Sequence, residues 1–332
     1  MNLNKLGIFL AHLVPPELSN KLSLEGLKFL YNLGILSSVN SKIPGDKNIE
    51  SLGLNFSNKI GLAGGLDKNA DYFHVLGKLG FGFIEVGTLT LKPQKGNLKP
   101  RVHRFTKERN IVNSLGFNNV GVYEGLKNIE KNKPFYNGVL GVSIGKSKET
   151  KIENAFKDYL HLIDYVYDQA DYIAINISSP NTENLRELSS ENYFKDLIEK
   201  IMNKKEQLNI GASKNKPFVL KISPDESKQN LEKIFTSCME FNVDGLILNN
   251  SSINHKKNLK GGISGNYIRE ISENNLIFAK NFCGDEISLI SSGGIMTSND
   301  VAKRIDLGAE LVQLYSGFIF SGTDLLKESL EI

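Results

Sequence analysis

The sequence predicts an α/β fold, a (β/α)8 TIM barrel with a small N-terminal helical extension, and three observations predict it. Short β-rich runs bounded by Gly, Pro and Asn recur eight times. Segments with helical spacing lie between them. Several runs are apolar at consecutive positions, as in Tyr172-Ile173-Ala174-Ile175, which marks strands covered on both faces. A chain of 332 residues accommodates this fold, since α/β barrels typically need about 250 residues.

The elements follow in order. Leu6, Phe9, Leu10 and Leu13 form one face of a short amphipathic helix, which Pro15-Pro16 breaks. Leu18, Leu22, Leu27, Leu30 and Tyr31 then predict a second helix. Lys42 to Asn48, with Pro44 and Gly45, reads as a linker. The predicted division is therefore a two-helix segment over residues 1–40 and a barrel over 41–332. The barrel strands are expected at Lys59 to Ala63, Phe81 to Gly87, Gly138 to Ile144, Asp171 to Ile177, Pro217 to Ile222, Val243 to Leu248, Ile287 to Ser291 and Glu310 to Leu314. Phe156, Leu160, Ile163, Val166 and Tyr167 precede the fourth run at helical spacing, and Leu231, Ile234, Phe235 and Met239 precede the sixth. Strand recurrence alone also fits an open doubly wound sheet.

Composition removes several classes of function. The 40 basic and 37 acidic residues are scattered, with a net charge of +3 and no aromatic-interleaved basic stripe, so nucleic acid is not implied. Cys238 and Cys283 form no metal-type pair, and none of His12, His74, His103, His161 and His255 is spaced as a helical ligand pair. No metal is expected, and a reducing compartment fits best. No stretch reaches the ~18 to 20 apolar residues that span a bilayer, and Leu6 to Ala11 is too short for a signal sequence. A cytoplasmic protein that can touch a membrane is the expectation.

Polar or glycine-rich clusters follow nearly every run: GGLDKN, GTLT, GKSK, NISSPN, SPD, NNSS, SSGG and YSGF. In a barrel these strand ends share one rim, where barrel enzymes keep their sites, so an enzyme is predicted. Ser292-Gly293-Gly294 and Tyr315-Ser316-Gly317 supply backbone N–H groups after the seventh and eighth runs, where barrels commonly hold phosphate. Turn formation alone is the competing explanation of these glycines. Lys68 follows a strand end, and Lys221 lies inside an apolar strand. It should point inward, toward a bound anion, an electron-rich ring, Asp225 or another carboxylate.

Two stretches offer a reactive serine. Gly141-Val142-Ser143-Ile144-Gly145 matches the G-x-S-x-G nucleophile elbow, but the polar loop Lys146 to Lys151 follows where a helix is needed. His255 would be its last available partner, with acids between Asp164 and Asp244. The other stretch is NISSPNTENLR, residues 176–186. Asn176 and Asn181 can orient a planar ligand through amide groups, while Ser178 and Ser179 bring hydroxyls to the same place. A serine hydroxyl is a poor base at neutral pH, so it needs a positive charge such as Lys68 and a relay such as Thr182. A capped turn is the plain structural alternative for SSPN.

Together, GLAGGLDKN, GFGFIEVGTLT, PQKGNLKPRVHRF, NSLGFNN, YIAINISSPNTENLR and LVQLYSGFIF resemble the quinone-dependent (class 2) dihydroorotate dehydrogenases. The resemblance runs from the N-terminal helices to the last strand. It implies an FMN-containing barrel, one FMN per chain. Such an enzyme oxidises (S)-dihydroorotate to orotate in the fourth step of pyrimidine synthesis and passes the electrons to a membrane quinone. By residue matching, Gly64, Gly65, Leu66, Asp67, Lys68, Thr88, Ser143, Asn176, Lys221, Asn249, Gly265, Gly294, Tyr315 and Ser316 would hold the flavin. Lys68, Asn113, Ser114, Leu115, Gly116, Phe117, Asn176, Asn181, Asn250 and Ser251 would surround the substrate. Ser179 falls at the catalytic base, where the soluble class has cysteine, and Thr182 and Phe117 match the proton's exit path.

The resemblance also assigns residues 1–40 to a quinone passage against the barrel, with Arg101 at its inner end. They would lie on the cytoplasmic side of the cell inner membrane without crossing it. A cap over the barrel bottom is the alternative for this segment. A monomer is expected if the helices cover the surface that the soluble class uses to dimerise. Two positions depart from the family pattern: Ser143 replaces a usual asparagine and Asn249 a usual threonine. Another FMN barrel acting on a pyrimidine-like ring, and a serine hydrolase built on Ser143, are the competing functions.

Overall fold

The computed structural model describes residues 3–36, 49–182, 185–210 and 215–332; the predicted linker at 42–48 lies outside them. All eight expected runs form strands, and they close into one parallel barrel in chain order. Its strands are β3 (Ile60–Leu62), β4 (Phe83–Leu89), β7 (Val139–Ile144), β8 (Tyr172–Asn176), β9 (Phe218–Ile222), β10 (Gly245–Leu248), β12 (Ser288–Ser292) and β13 (Leu311–Leu314). The open sheet is thereby excluded: β13 pairs with β3 and β9 with β10, leaving no edge. Between consecutive strands lie α3 (Phe73–Gly77), α4 (Val122–Asn132), α5 (Ala155–Val166), α6 (Glu191–Asn209), α7 (Lys228–Glu240), α8 (Arg269–Cys283) and α9 (Ser298–Asp306). The chain ends in α10 (Ser316–Ser321) and α11 (Thr323–Leu330).

The barrel interior is filled by large side chains set against small ones. A Cβ at Gly61 would collide with the Phe83 ring, and one at Gly141 with the Tyr172 ring, so glycine at each strand makes room for an aromatic on its neighbour. Phe56, Phe83, Val139, Tyr172, Val219, Ile247, Ile290 and Leu311 form a cluster at the N-terminal ends of the strands. A hairpin not foreseen from sequence, β1 (Ile49–Ser51) and β2 (Leu54–Phe56), closes that end, with Phe56 meeting Phe83 edge-on at 5.3 Å.

A second unforeseen element is an antiparallel sheet of β5 (Val102–Phe105), β6 (Asn110–Asn113) and β11 (Gly262–Gly265), built from the loops after β4 and β10. These loops leave the C-terminal ends of the barrel strands, so the sheet overhangs the rim where the polar clusters lie.

The N-terminal extension consists of α1 (Leu3–His12) and α2 (Pro16–Asn32), with Pro16 in the first turn of α2, where its missing N–H costs nothing. It sits near that rim rather than under the barrel bottom. Asn4 Nδ2 donates to the Ser321 carbonyl at 3.0 Å beside α10, and Arg104 of β5 donates to the carbonyls of His12 (2.9 Å) and Val14 (3.0 Å). Phe9, Leu10, Leu13, Leu22 and Phe29 remain exposed. No helix among the described residues is long and apolar enough to cross a membrane.

Candidate active site

At the C-terminal rim a cavity opens between the barrel and the overhanging sheet. Its wall includes Gly64, Gly65, Lys68, Thr88, Asn113, Leu115, Gly116, Phe117, Asn176, Ser179, Asn181, Lys221, Asn249, Asn250, Ser251, Gly265, Gly294, Tyr315 and Ser316, all expected from sequence. Leu66, Asp67, Ser114, Ser143, Thr182 and Arg101 do not line it.

Local bonding explains each of these absences that has an explanation. Asp67 is buried behind the first rim loop, where its carboxylate accepts the N–H groups of Asp71 (2.9 Å) and Tyr72 (2.8 Å), and burial pushes it up to about 6. Ser143 lies within β7 and is fully buried, and its Oγ is 2.9 Å from Thr88 Oγ1. It therefore supports Thr88 from behind. It is not at a strand-to-helix turn, and His255 is engaged with the Gly261 carbonyl, so the nucleophile elbow is not formed. Arg101 lies beneath α2, ion-paired to Glu17 at 2.6 Å and donating to the carbonyls of Lys95 (2.7 Å) and Asn97 (2.9 Å).

The two serines of the β8 loop are no longer equivalent. Ser178 is turned away from the cavity. Its N–H donates to Asn176 Oδ1 at 3.2 Å, and its hydroxyl accepts from Asn250 Nδ2 at 3.0 Å. Ser179 lines the cavity, and its Oγ accepts only the Asn181 N–H, at 3.3 Å, among the described residues. Among the described residues Thr182 Oγ1 is buried without a hydrogen-bond partner, Ser179 included. Phe117 holds a left-handed φ of 50°, a costly backbone state for a bulky side chain that functional sites often retain.

Asparagines surround Ser179. Asn181 Nδ2 donates to Asn113 Oδ1 at 2.9 Å, leaving Asn181 Oδ1 unpaired, and Asn176 Nδ2 donates to Thr88 Oγ1 at 3.0 Å. Asn249 is 2% exposed, and neither its Nδ2 nor its Oδ1 has a partner among the described residues. An uncompensated buried amide costs roughly 1 to 3 kcal/mol, so a ligand edge carrying both a donor and an acceptor is the natural complement.

The cationic groups are placed deliberately. Lys68 Nζ donates to the Gly65 carbonyl at 2.7 Å, and burial pushes its ammonium down to about 8, against the pull of Glu17. Lys221 Nζ lies 3.6 Å from Glu85 Oε1, both buried in the barrel. The carboxylate partner is therefore Glu85 and not Asp225, which pairs with Arg186 at 2.7 Å. Glu85 Oε2 is held by Gln313 Nε2 at 2.8 Å and by the Tyr172 hydroxyl at 3.3 Å. Glu85 and Gln313 also line the cavity and were missed in the sequence. The signal that drew attention to Lys221, a polar residue inside an apolar strand, was present in FIEVG and LVQL as well.

The dihydroorotate dehydrogenase family model matches residues 48–331. The chain is 42% identical over 326 residues to the dihydroorotate dehydrogenase (quinone) of Buchnera aphidicola subsp. Schizaphis graminum, covering 96% of each chain. It is 40% identical to that of Acinetobacter baylyi, covering 94% of each. Among solved structures, ligand-free DHODH from Eimeria tenella superposes with a TM-score of 0.81 at 31% identity, over 93% of this chain and 92% of that one.

Proposed function

Since the chain belongs to the dihydroorotate dehydrogenase family, we propose that it oxidises (S)-dihydroorotate to orotate, the fourth step of de novo pyrimidine (UMP) biosynthesis. FMN, one per chain, would take the hydride, and a membrane quinone would take the electrons in turn. The observation that carries this reading is the unbonded face of Ser179 in a cavity shared with Lys68, six asparagine amides and a glycine-lined rim.

The residues fit FMN. Asn249 offers a donor and an acceptor without partners, and Gly294 has no room for a Cβ because the backbone of Arg269 lies against it. Gly64, Gly65, Thr88, Asn176, Lys221, Asn249 and Gly265 would hold the ring, and Gly294, Tyr315 and Ser316 the phosphate end. When bound, FMN supplies the hydride-accepting ring.

The chain's own residues do the rest. Lys68 would hold the substrate carboxylate, and Asn113, Asn181 and Asn250 its ring amides. Ser179 would remove the C5 proton while hydride leaves C6. Its hydroxyl is a weak base, so its own proton would have to leave toward Thr182, whose oxygen is unspent, as the C5 proton arrives; Ser179 then ends the step as a neutral hydroxyl, and the Lys68 charge would favour the anionic oxygen in between. Phe117 would shield this exchange from bulk water.

Residues 1–40 would rest on the cytoplasmic face of the cell inner membrane through Phe9, Leu10, Leu13, Leu22 and Phe29. Arg101 would stand at the inner end of a quinone passage, and the protein would act as a monomer. The test is a flavin spectrum of the purified protein followed by dihydroorotate-dependent reduction of a soluble quinone. A yellow, quinone-reducing enzyme is expected. Fumarate or NAD working better than quinone contradicts the acceptor.

A further inference from the structure

Arg304 is the largest fully buried side chain among the described residues, and nothing in the reaction above uses it. It stands in the last turn of α9 and reaches behind the Ser292–Gly294 loop. Its Nη1 donates to Ser291 Oγ at 3.2 Å, and its Nη2 donates to the carbonyls of Arg269 (2.9 Å) and Gly293 (3.2 Å). The nearest carboxylate, Glu273, lies 3.7 Å from Nε through one oxygen, and its other oxygen is taken by Lys303 at 2.6 Å. A buried cation normally has a dedicated anion. Here Glu273 is shared with Lys303 and the other nearby carboxylate, Asp300, with Arg269, so much of the compensation comes from neutral oxygens.

The position of those oxygens gives the cation a task. The Gly293–Gly294 peptide is trans, so its carbonyl and its N–H point to opposite sides. With the Gly293 carbonyl fixed on Arg304 behind the loop, the Gly294 N–H is turned the other way, and both glycines line the cavity. Among the described residues no protein acceptor takes that N–H. The Arg269 carbonyl held by the same Nη2 belongs to the start of α8, which packs against Gly294. One guanidinium thus ties together the end of β12, the glycine loop and the first turn of a helix.

We propose that Arg304 is a positioning residue for the cofactor's phosphate. It aims the Gly294 N–H into the cavity and places a positive charge behind an anion that it never touches. This rests on the FMN reading above.

Flavin-depleted full-length protein, titrated with FMN and with riboflavin while flavin fluorescence is followed, tests it. Wild type should bind FMN at least about a hundredfold more tightly than riboflavin, which lacks the phosphate. Arg304→Met should weaken FMN at least about tenfold and riboflavin less than about threefold, because only the phosphate end is affected. Arg304→Lys, which keeps the charge and loses the fork, should fall between them. Equal weakening of both flavins, or unchanged FMN binding, overturns the proposal. If the Met variant does not fold, the Lys variant decides by the same ratio. A wild type without preference for FMN removes the flavin-phosphate reading itself and Arg304's task with it, an outcome recognisable because no substitution is involved.

Discussion

At the N-terminal ends of the strands, the barrel is packed with Phe56, Phe83, Tyr172 and aliphatic neighbours beneath a two-stranded hairpin. At the C-terminal ends, a few residues along the same strands, Asn249, Asn181, Thr182 and Gln313 keep buried polar atoms without partners. One end meets its few polar demands within the protein, as where Ser51 and Ser288 donate to Glu310, and serves stability; the other keeps demands that no described residue meets. Glu85 marks the border, holding the Tyr172 hydroxyl from the packed layer on one side and Lys221 of the cavity on the other.

The contrast breaks most sharply at Phe56. Phe56→Ala should cost about 3 to 5 kcal/mol of stability through the cavity it leaves, measured by denaturant unfolding, while the folded fraction keeps its substrate KM. Ser179→Ala should do the reverse, with an unchanged unfolding midpoint and dihydroorotate turnover lowered at least about a hundredfold.

Lys68 sharpens the comparison through pH. Burial pushes its ammonium down to about 8, so the cation proposed to hold the substrate carboxylate is present below that pH and lost above it. The kcat/KM for dihydroorotate should therefore fall by about tenfold per unit above pH 8, and the fall should vanish in Lys68→Met. An anion bound at Lys68 favours its charged form, so kcat should hold to higher pH than kcat/KM. The smallest effect is expected for Asn249→Ala, roughly a three- to tenfold weaker hold on FMN by fluorescence titration, since one amide of many contacts is removed.

The sequence disclosed the barrel because its strands are buried on both faces and so read as apolar runs. It hid β5, β6 and β11 because they are short, β5 is only half-buried, and β11 finds β6 only after the barrel has brought two distant loops together. Site residues on the rim loops were legible from composition and resemblance. The difference between Ser178 and Ser179 in bonding was not, since it depends on Asn250 arriving from another strand. Arg304 was least legible: in DVAKRID it looks like one more charge on a solvated helix face, and only packing shows it buried.

The central claim, that Ser179 is the base beside a hydride-accepting flavin, is tested most directly by mixing dihydroorotate anaerobically with wild type and with Ser179→Ala and following flavin absorbance. Wild type should be yellow and bleach rapidly, with Ser179→Ala equally yellow and bleaching at least about a hundredfold more slowly. Equal bleaching rates, or a colourless wild type that FMN does not reconstitute, would contradict it.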